Sequence, residues 1–151
     1  MSGIVRKMLL KLVLEDAILR EETSYRFYES ALAVVAGEQE QRLLKSLCAG
    51  ELRHRLKLEE LSRRGETEEI DVSDTPEIEP NGEEQTWPEV VPGASCTEIL
   101  KVALNKERQS ARYYRVVAER SLLASVKDLF FYLAGEESEH IRWVERMLSA
   151  S

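Results

Sequence analysis

The chain has only two histidines, and each follows a glutamate by three residues: Glu51-Leu52-Arg53-His54 and Glu137-Ser138-Glu139-His140. On a helix this spacing puts a carboxylate and an imidazole on one face, about a turn apart. That geometry can grip or bridge a metal ion. One Glu-x-x-His on a helix is commonly a solvated face, but here two copies are matched by a further glutamate ahead of each, Glu21 and Glu107. The candidate ligand set is therefore Glu21, Glu51, His54, Glu107, Glu137 and His140. Four carboxylates converging in a core would be prohibitive to bury unpaired. Two divalent cations balance their charge. Carboxylate oxygens with two imidazoles, and room for water, suit iron or manganese, and zinc fits as a substitute. Each imidazole then needs an acceptor for its second nitrogen, and Asp128 and Glu139 are acids available for that role.

The selection of these residues rests on an internal repeat. A shift of 86 residues lays Glu21, Ser24, Arg26 and Tyr28 over Glu107, Ser110, Arg112 and Tyr114. The same shift puts Leu14 on Leu100, Ala17 on Ala103, Leu43 on Leu129, Leu47 on Leu133, and Glu51/His54 on Glu137/His140, without a gap. One offset over such a length implies a duplicated structural unit. It also separates ligands from neighbours: Glu22 falls on Arg108, Glu136 on Gly50 and Glu139 on Arg53, so these three acids are set aside as ligands.

Tyr28 and Tyr114 stand seven residues after the repeated glutamates, hence nearly on the same helical face. A buried tyrosine hydroxyl needs a partner, and a ligand carboxylate is the natural one. These tyrosines are candidates for orienting the site or relaying electrons or protons, with plain aromatic packing as the alternative. Ser24 and Ser110 read as small residues where helices approach closely. Cys48 falls on Ala134 and reads as a small buried residue. Trp87 and Trp143 carry no separate signal.

The elements that must position these groups are helices. Residues 8–36 place Leu12, Ala17, Ser24, Phe27, Tyr28, Ala31 and Val35 at three- and four-residue spacings. Gly37 allows a turn, and 39–63 continue with Leu43, Leu44, Leu47, Leu52, Leu58 and Leu61. Ser95 with Glu98 forms a capping box that opens a third helix to about residue 120. A fourth follows over 123–148, with Ser125 and Asp128 near its start. Between the pairs, residues 65–94 hold all four prolines, three glycines, ten acidic residues and no Lys or Arg. Helix does not persist through such a stretch. Against a chain total of −7, its −10 leaves the remainder at +3. A connection of this length is explicable if it runs the full height of a bundle, as the single crossover of ferritin-like bundles does. The expected organisation is one domain over 1–151: a helix pair at 8–64, an acidic crossover at 65–94 and a second pair at 95–149. The fold class is all-α, an antiparallel four-helix bundle of the ferritin-like kind.

Composition narrows the function classes. At 151 residues, 43% hydrophobic and 32% charged, the chain reads as one globular domain. No apolar run approaches the roughly 20 residues of a membrane span. The apolar start, Met8 to Leu14, is broken by Lys11 and followed by Glu15 and Asp16, which suits a helix better than a secretory leader. Cys48 and Cys96 form no disulfide framework and no Cys-x-x-Cys motif. A cytoplasmic location is expected. The net negative charge argues against nucleic acid as a partner.

The paired Glu21…Tyr28 and Glu107…Tyr114 segments, with the paired Glu51/His54 and Glu137/His140 motifs, resemble the rubrerythrin branch of the ferritin-like superfamily. The resemblance covers residues 10–64 and 96–150, and implies a non-haem di-iron centre inside an antiparallel bundle. Members of that family reduce hydrogen peroxide while cycling between diferrous and diferric states, and relatives oxidise ferrous iron or react with dioxygen. Two departures matter. Rubrerythrins proper carry a rubredoxin domain with a Cys-ligated iron, whereas this chain has no Cys-x-x-Cys, so electrons would arrive from a separate donor such as a rubredoxin-type protein. The family also has an additional glutamate three residues beyond the position of Glu107, where this chain has Ser110. The resemblance thus implies a symmetric six-ligand set holding two iron ions and an oxidoreductase reducing peroxide or dioxygen. A ferroxidase or iron-handling protein, and a non-enzymatic metal-binding bundle, are the alternatives. Bundles of this kind often dimerise, so a homodimer is also expected.

Overall fold

A computed structural model describes residues 3–67, 87–121 and 123–150. They form four helices: α1, Gly3–Val34; α2, Glu38–Thr67; α3, Cys96–Arg120; and α4, Ala124–Ala150. The helices extend past the sequence-expected limits at several ends. α1 begins at Gly3 rather than at residue 8, and α2 continues through Gly65 to Thr67. A glycine disfavours helix by only about 1 kcal/mol, which a long helix can absorb.

The helix ends have local causes. Ser95 caps α3 through the expected box: its hydroxyl accepts from the Glu98 amide at 3.1 Å, and Glu98 reaches back to the Ser95 amide at 3.4 Å. At the other end of α3, the Ser121 amide donates to Val117, and the Lys127 ammonium donates to the carbonyls of Ala118 and Ser121 at 3.2 and 3.4 Å. A cation there complements the negative end of the helix dipole. At the α1–α2 corner, the Gln41 amide donates to the carbonyls of Leu32 and Val35 and satisfies acceptors that the helix end leaves open.

Helix direction follows from cross-helix contacts. α1 and α2 pack together, as do α3 and α4, and α2 also meets α4. Tyr28 of α1 reaches Glu107 of α3, while Tyr114 of α3 reaches Glu21 of α1, so these two helices are antiparallel. His54 approaches Glu137 and His140 approaches Glu51, so α2 and α4 are antiparallel too. Consequently α2 and α3 point the same way, and α3 starts at the opposite end of the bundle from where α2 stops. Most of the acidic segment that must join them lies outside the described residues. Its last part returns along α1, with the Trp87 ring 4.6 Å from Phe27 and 5.6 Å from Tyr28. Gly93 takes a positive φ of 90° beside a turn closed by the Ala94 amide and the Val91 carbonyl.

The interior has two apolar blocks. One is built on Leu10, Val13, Leu14 and Ala17 of α1 with Leu58, Val117, Phe130 and Leu133. The other joins Phe27, Ala31 and Val35 to Leu44, Leu47, Leu100 and Val144. Leu12, expected on the buried face, is exposed, and Leu10, Val13 and Leu14 take the core positions around it. Between the blocks lies a layer of polar side chains.

Candidate metal centre

All six residues singled out from the sequence converge in that layer. Each is at most 2% exposed. Glu21 comes from α1, Glu51 and His54 from α2, Glu107 from α3, and Glu137 and His140 from α4. They sort into two overlapping groups: Glu21, Glu51, His54 and Glu137, and Glu51, Glu107, Glu137 and His140. Within each group every residue offers one ligand atom within 4.8 Å of the others. Bonds of about 2.0–2.2 Å to one ion put opposite donors about 4.2 Å apart, so each group is dimensioned for a single ion.

The two histidines present corresponding nitrogens inward. His54 Nδ1 lies 3.3 Å from Glu137 and 3.4 Å from Glu21. His140 Nδ1 lies 3.2 Å from Glu51, 3.5 Å from Glu107 and 3.6 Å from Glu137. Their rings stack with centroids 5.6 Å apart and planes 19° from parallel. Burial pushes both imidazoles toward neutrality, but the close carboxylates, Glu137 first, outweigh it and raise them to about 11 for His54 and about 10 for His140. Burial likewise pushes Glu51 up, yet contacts with Glu21 and His140 hold it at about 2. Glu21 moves the other way, raised well above the usual carboxylate range by burial and by the charge on Glu51. Without a metal, protons do the work of balancing this layer.

The balance is incomplete. Glu21 Oε2, Glu51 Oε1, both carboxylate oxygens of Glu137, both ring nitrogens of His54 and Nδ1 of His140 are buried and make no hydrogen bond. Buried polar atoms of native proteins are almost always partnered, so such a concentration requires an explanation. Metal ions centred on the two groups provide one for all but the outward-facing His54 Nε2, because each residue offers a donor atom within 4.8 Å of the others in its group. The residues therefore fit a metal-binding role on chemistry and on geometry.

The tyrosines take the polar partner expected for them, and the pairing crosses the bundle. Tyr28 donates to Glu107 and Tyr114 to Glu21, each at 2.6 Å. Each helix pair thus steadies a carboxylate of the other. Burial and nearby carboxylates hold both hydroxyls well above the usual tyrosine range, so both remain protonated donors. Ser24 does more than admit a close helix approach: its hydroxyl donates to Glu51 Oε2 at 2.8 Å. No counterpart joins Ser110 to Glu137. Cys48 is buried against α1, as its alanine repeat-mate implied.

The acids named for the outer imidazole nitrogens are elsewhere. Asp128 is exposed, and Glu139 accepts from Arg142 and from the Trp143 indole at 3.1 Å. The carboxylate near His54 Nε2 is Glu136, at 3.6 Å. Sequence reasoning set it aside because its repeat-mate is Gly50, and the repeat is blind to any role held in one half only. Trp143 also lies beside the site, its ring 5.2 Å from His140.

Comparison with known proteins agrees with this architecture. The rubrerythrin family model matches residues 98–151, which is the second helix pair. A hypothetical protein from Pyrococcus furiosus has a similar structure, with a TM-score of 0.71 and 22% identity, over 93% of this chain and 88% of that one. A conserved hypothetical protein, rv2844, from Mycobacterium tuberculosis aligns with a TM-score of 0.68 and 18% identity, over 99% of this chain and 95% of that one. At these identities the two structures establish the fold alone. No curated protein matches the sequence. No helix among the described residues is long and apolar enough to cross a membrane.

Proposed function

We propose that this chain, a rubrerythrin-like member of the ferritin-like superfamily, is a di-iron carboxylate oxidoreductase that reduces peroxide with electrons from a separate donor. The observation that carries the reading is the pair of buried Glu/His groups sharing Glu51 and Glu137. Glu21 and His54 would hold one ion and Glu107 and His140 the other, with Glu51 and Glu137 common to both groups. Paired iron supplies two one-electron changes, the number needed to convert hydrogen peroxide and two protons into two waters.

The protein's own contribution is positioning and exclusion. Tyr28 and Tyr114 hold Glu107 and Glu21 in one orientation each, and Ser24 holds Glu51. The apolar blocks above and below keep bulk water from the layer and strengthen every electrostatic interaction inside it. The donor is proposed to be a rubredoxin-type protein, the location the cytoplasm and the working form a homodimer.

The test is metal content per chain on protein from iron-replete cells, then anaerobic reduction and rapid mixing with hydrogen peroxide or dioxygen. Two iron per chain with the faster reaction toward peroxide is the expected result. Two iron with faster dioxygen chemistry would assign the chain to ferrous-iron oxidation instead. Less than about half an equivalent of any metal, unchanged in Glu51→Ala, would leave a bundle without this function.

A further inference from the structure

The repeat that pairs every candidate ligand does not extend to the residue before Glu137. Position 136 carries glutamate where position 50 carries glycine. His54 turns Nδ1 inward to Glu21 and Glu137 and presents Nε2 to Glu136 Oε1 at 3.6 Å, within ion-pair distance. Glu136 is steadied in turn by Tyr132, whose hydroxyl donates to the same oxygen at 3.0 Å. At 29% exposed, Glu136 stands at the rim of the layer, whereas His54 is fully buried.

His140 has a different surrounding. Its Nε2 points at Gly50, where an added Cβ would lie only 2.7 Å away. The ring's close approaches to Glu51, Glu107 and Glu137 are all made through Nδ1. Gly50 therefore makes room for one ring where Glu136 backs the other. The remaining polar supports do not distinguish the two groups. Tyr28 and Tyr114 serve one group each at the same distance, and Ser24 bonds Glu51, which belongs to both.

We propose that Glu136 is a positioning residue for His54, and that its single occurrence makes the two metal subsites unequal, with the ion at Glu21 and His54 held more tightly. This rests on the two-metal reading above. A carboxylate accepting the outer N–H of a ligating imidazole fixes the ring and strengthens its donor nitrogen, and loss of such a partner weakens metal binding by about 10–100-fold. A glycine provides neither effect.

Titration of the metal-free full-length chain with Co(II) tests this, followed by visible absorption and by the paramagnetically shifted, solvent-exchangeable imidazole N–H signals. The wild type is expected to take two equivalents in two resolved steps. Glu136→Gln keeps the side-chain size and should weaken the tighter step about tenfold or more, move one exchangeable imidazole signal and leave the other step unchanged. Glu139→Gln removes the same charge next to His140 but faces Arg142 and Trp143, and should alter neither step. In a His54→Ala background, Glu136→Gln should have no further effect. Two equivalents with both steps unaltered in Glu136→Gln, or weakened equally, would overturn the inference while leaving the two-metal reading intact. Failure of the wild type to take two equivalents would overturn both.

Discussion

The middle layer of the bundle and the apolar blocks on either side of it are equally buried but stabilised by opposite means. In the blocks, Leu14, Leu47, Phe130 and Leu133 bury hydrocarbon and make no polar demand. In the layer, four carboxylates and two imidazoles occupy the same four helices at the same depth, and several of their atoms make no hydrogen bond. Burying such groups costs stability unless each is partnered. The blocks therefore carry the fold, while the layer draws on their stability to hold a site preassembled for a ligand. Excess polar cost concentrated in one layer marks where function resides.

Mutation can break this contrast. The largest expected effect is on metal retention. Glu51 belongs to both groups, so Glu51→Ala should lose both ions, with affinity falling on the order of a hundredfold or more. Glu107→Ala should lose only one, and metal content per chain separates the two outcomes.

The second effect is on the pH dependence of the metal-free fold. His54 and His140 are raised from 6.5 to about 11 and about 10, so their contribution is fully present below pH 6.5 and disappears as pH rises through those values. Glu21, also raised, acts in the same direction from 4.5 upward. Glu51, lowered to about 2, contributes above 4.5 and loses that contribution as pH falls toward 2. Denaturant midpoints of the metal-free protein should therefore decline from neutral pH toward pH 11. Metal uptake near pH 7 should release protons, which calorimetry in buffers of different ionisation enthalpy detects.

A third variant acts on a block alone. Phe130→Ala should cost about 3–5 kcal/mol, read by denaturant unfolding, with metal stoichiometry retained. The smallest effect is expected at the boundary between block and layer. Tyr28→Phe keeps the ring and removes the donor to Glu107, at a cost of about 1.5–3 kcal/mol in the metal-free protein. Equal loss of stability in Tyr28→Phe and Phe130→Ala would contradict the division of roles drawn here.

Much of this was legible in the chain because helices are locally encoded. The capping box at Ser95 and Glu98, the four helical periodicities and the glutamate-to-histidine spacing depend only on neighbours within a turn or two. The repeat then identified which four glutamates and two histidines share a register, and all six side chains do meet. Leu12 was misplaced because Leu9, Leu10, Leu12, Val13 and Leu14 offer more apolar residues than one helix face can bury. Glu136 was missed because its approach to His54 arises only when α4 lies against α2.

By itself, then, the sequence determined the helices, the duplicated pair and the residue types in the polar layer, since these follow from spacing along a single chain. Only the tertiary structure decided who partners whom. Tyr28 reaches Glu107 rather than the Glu21 of its own helix, and His54 meets Glu136 while His140 meets Gly50. Those pairings depend on the antiparallel docking of α1 against α3 and of α2 against α4. Such docking is selected by the packing of whole helix faces around the core, and no local spacing specifies it.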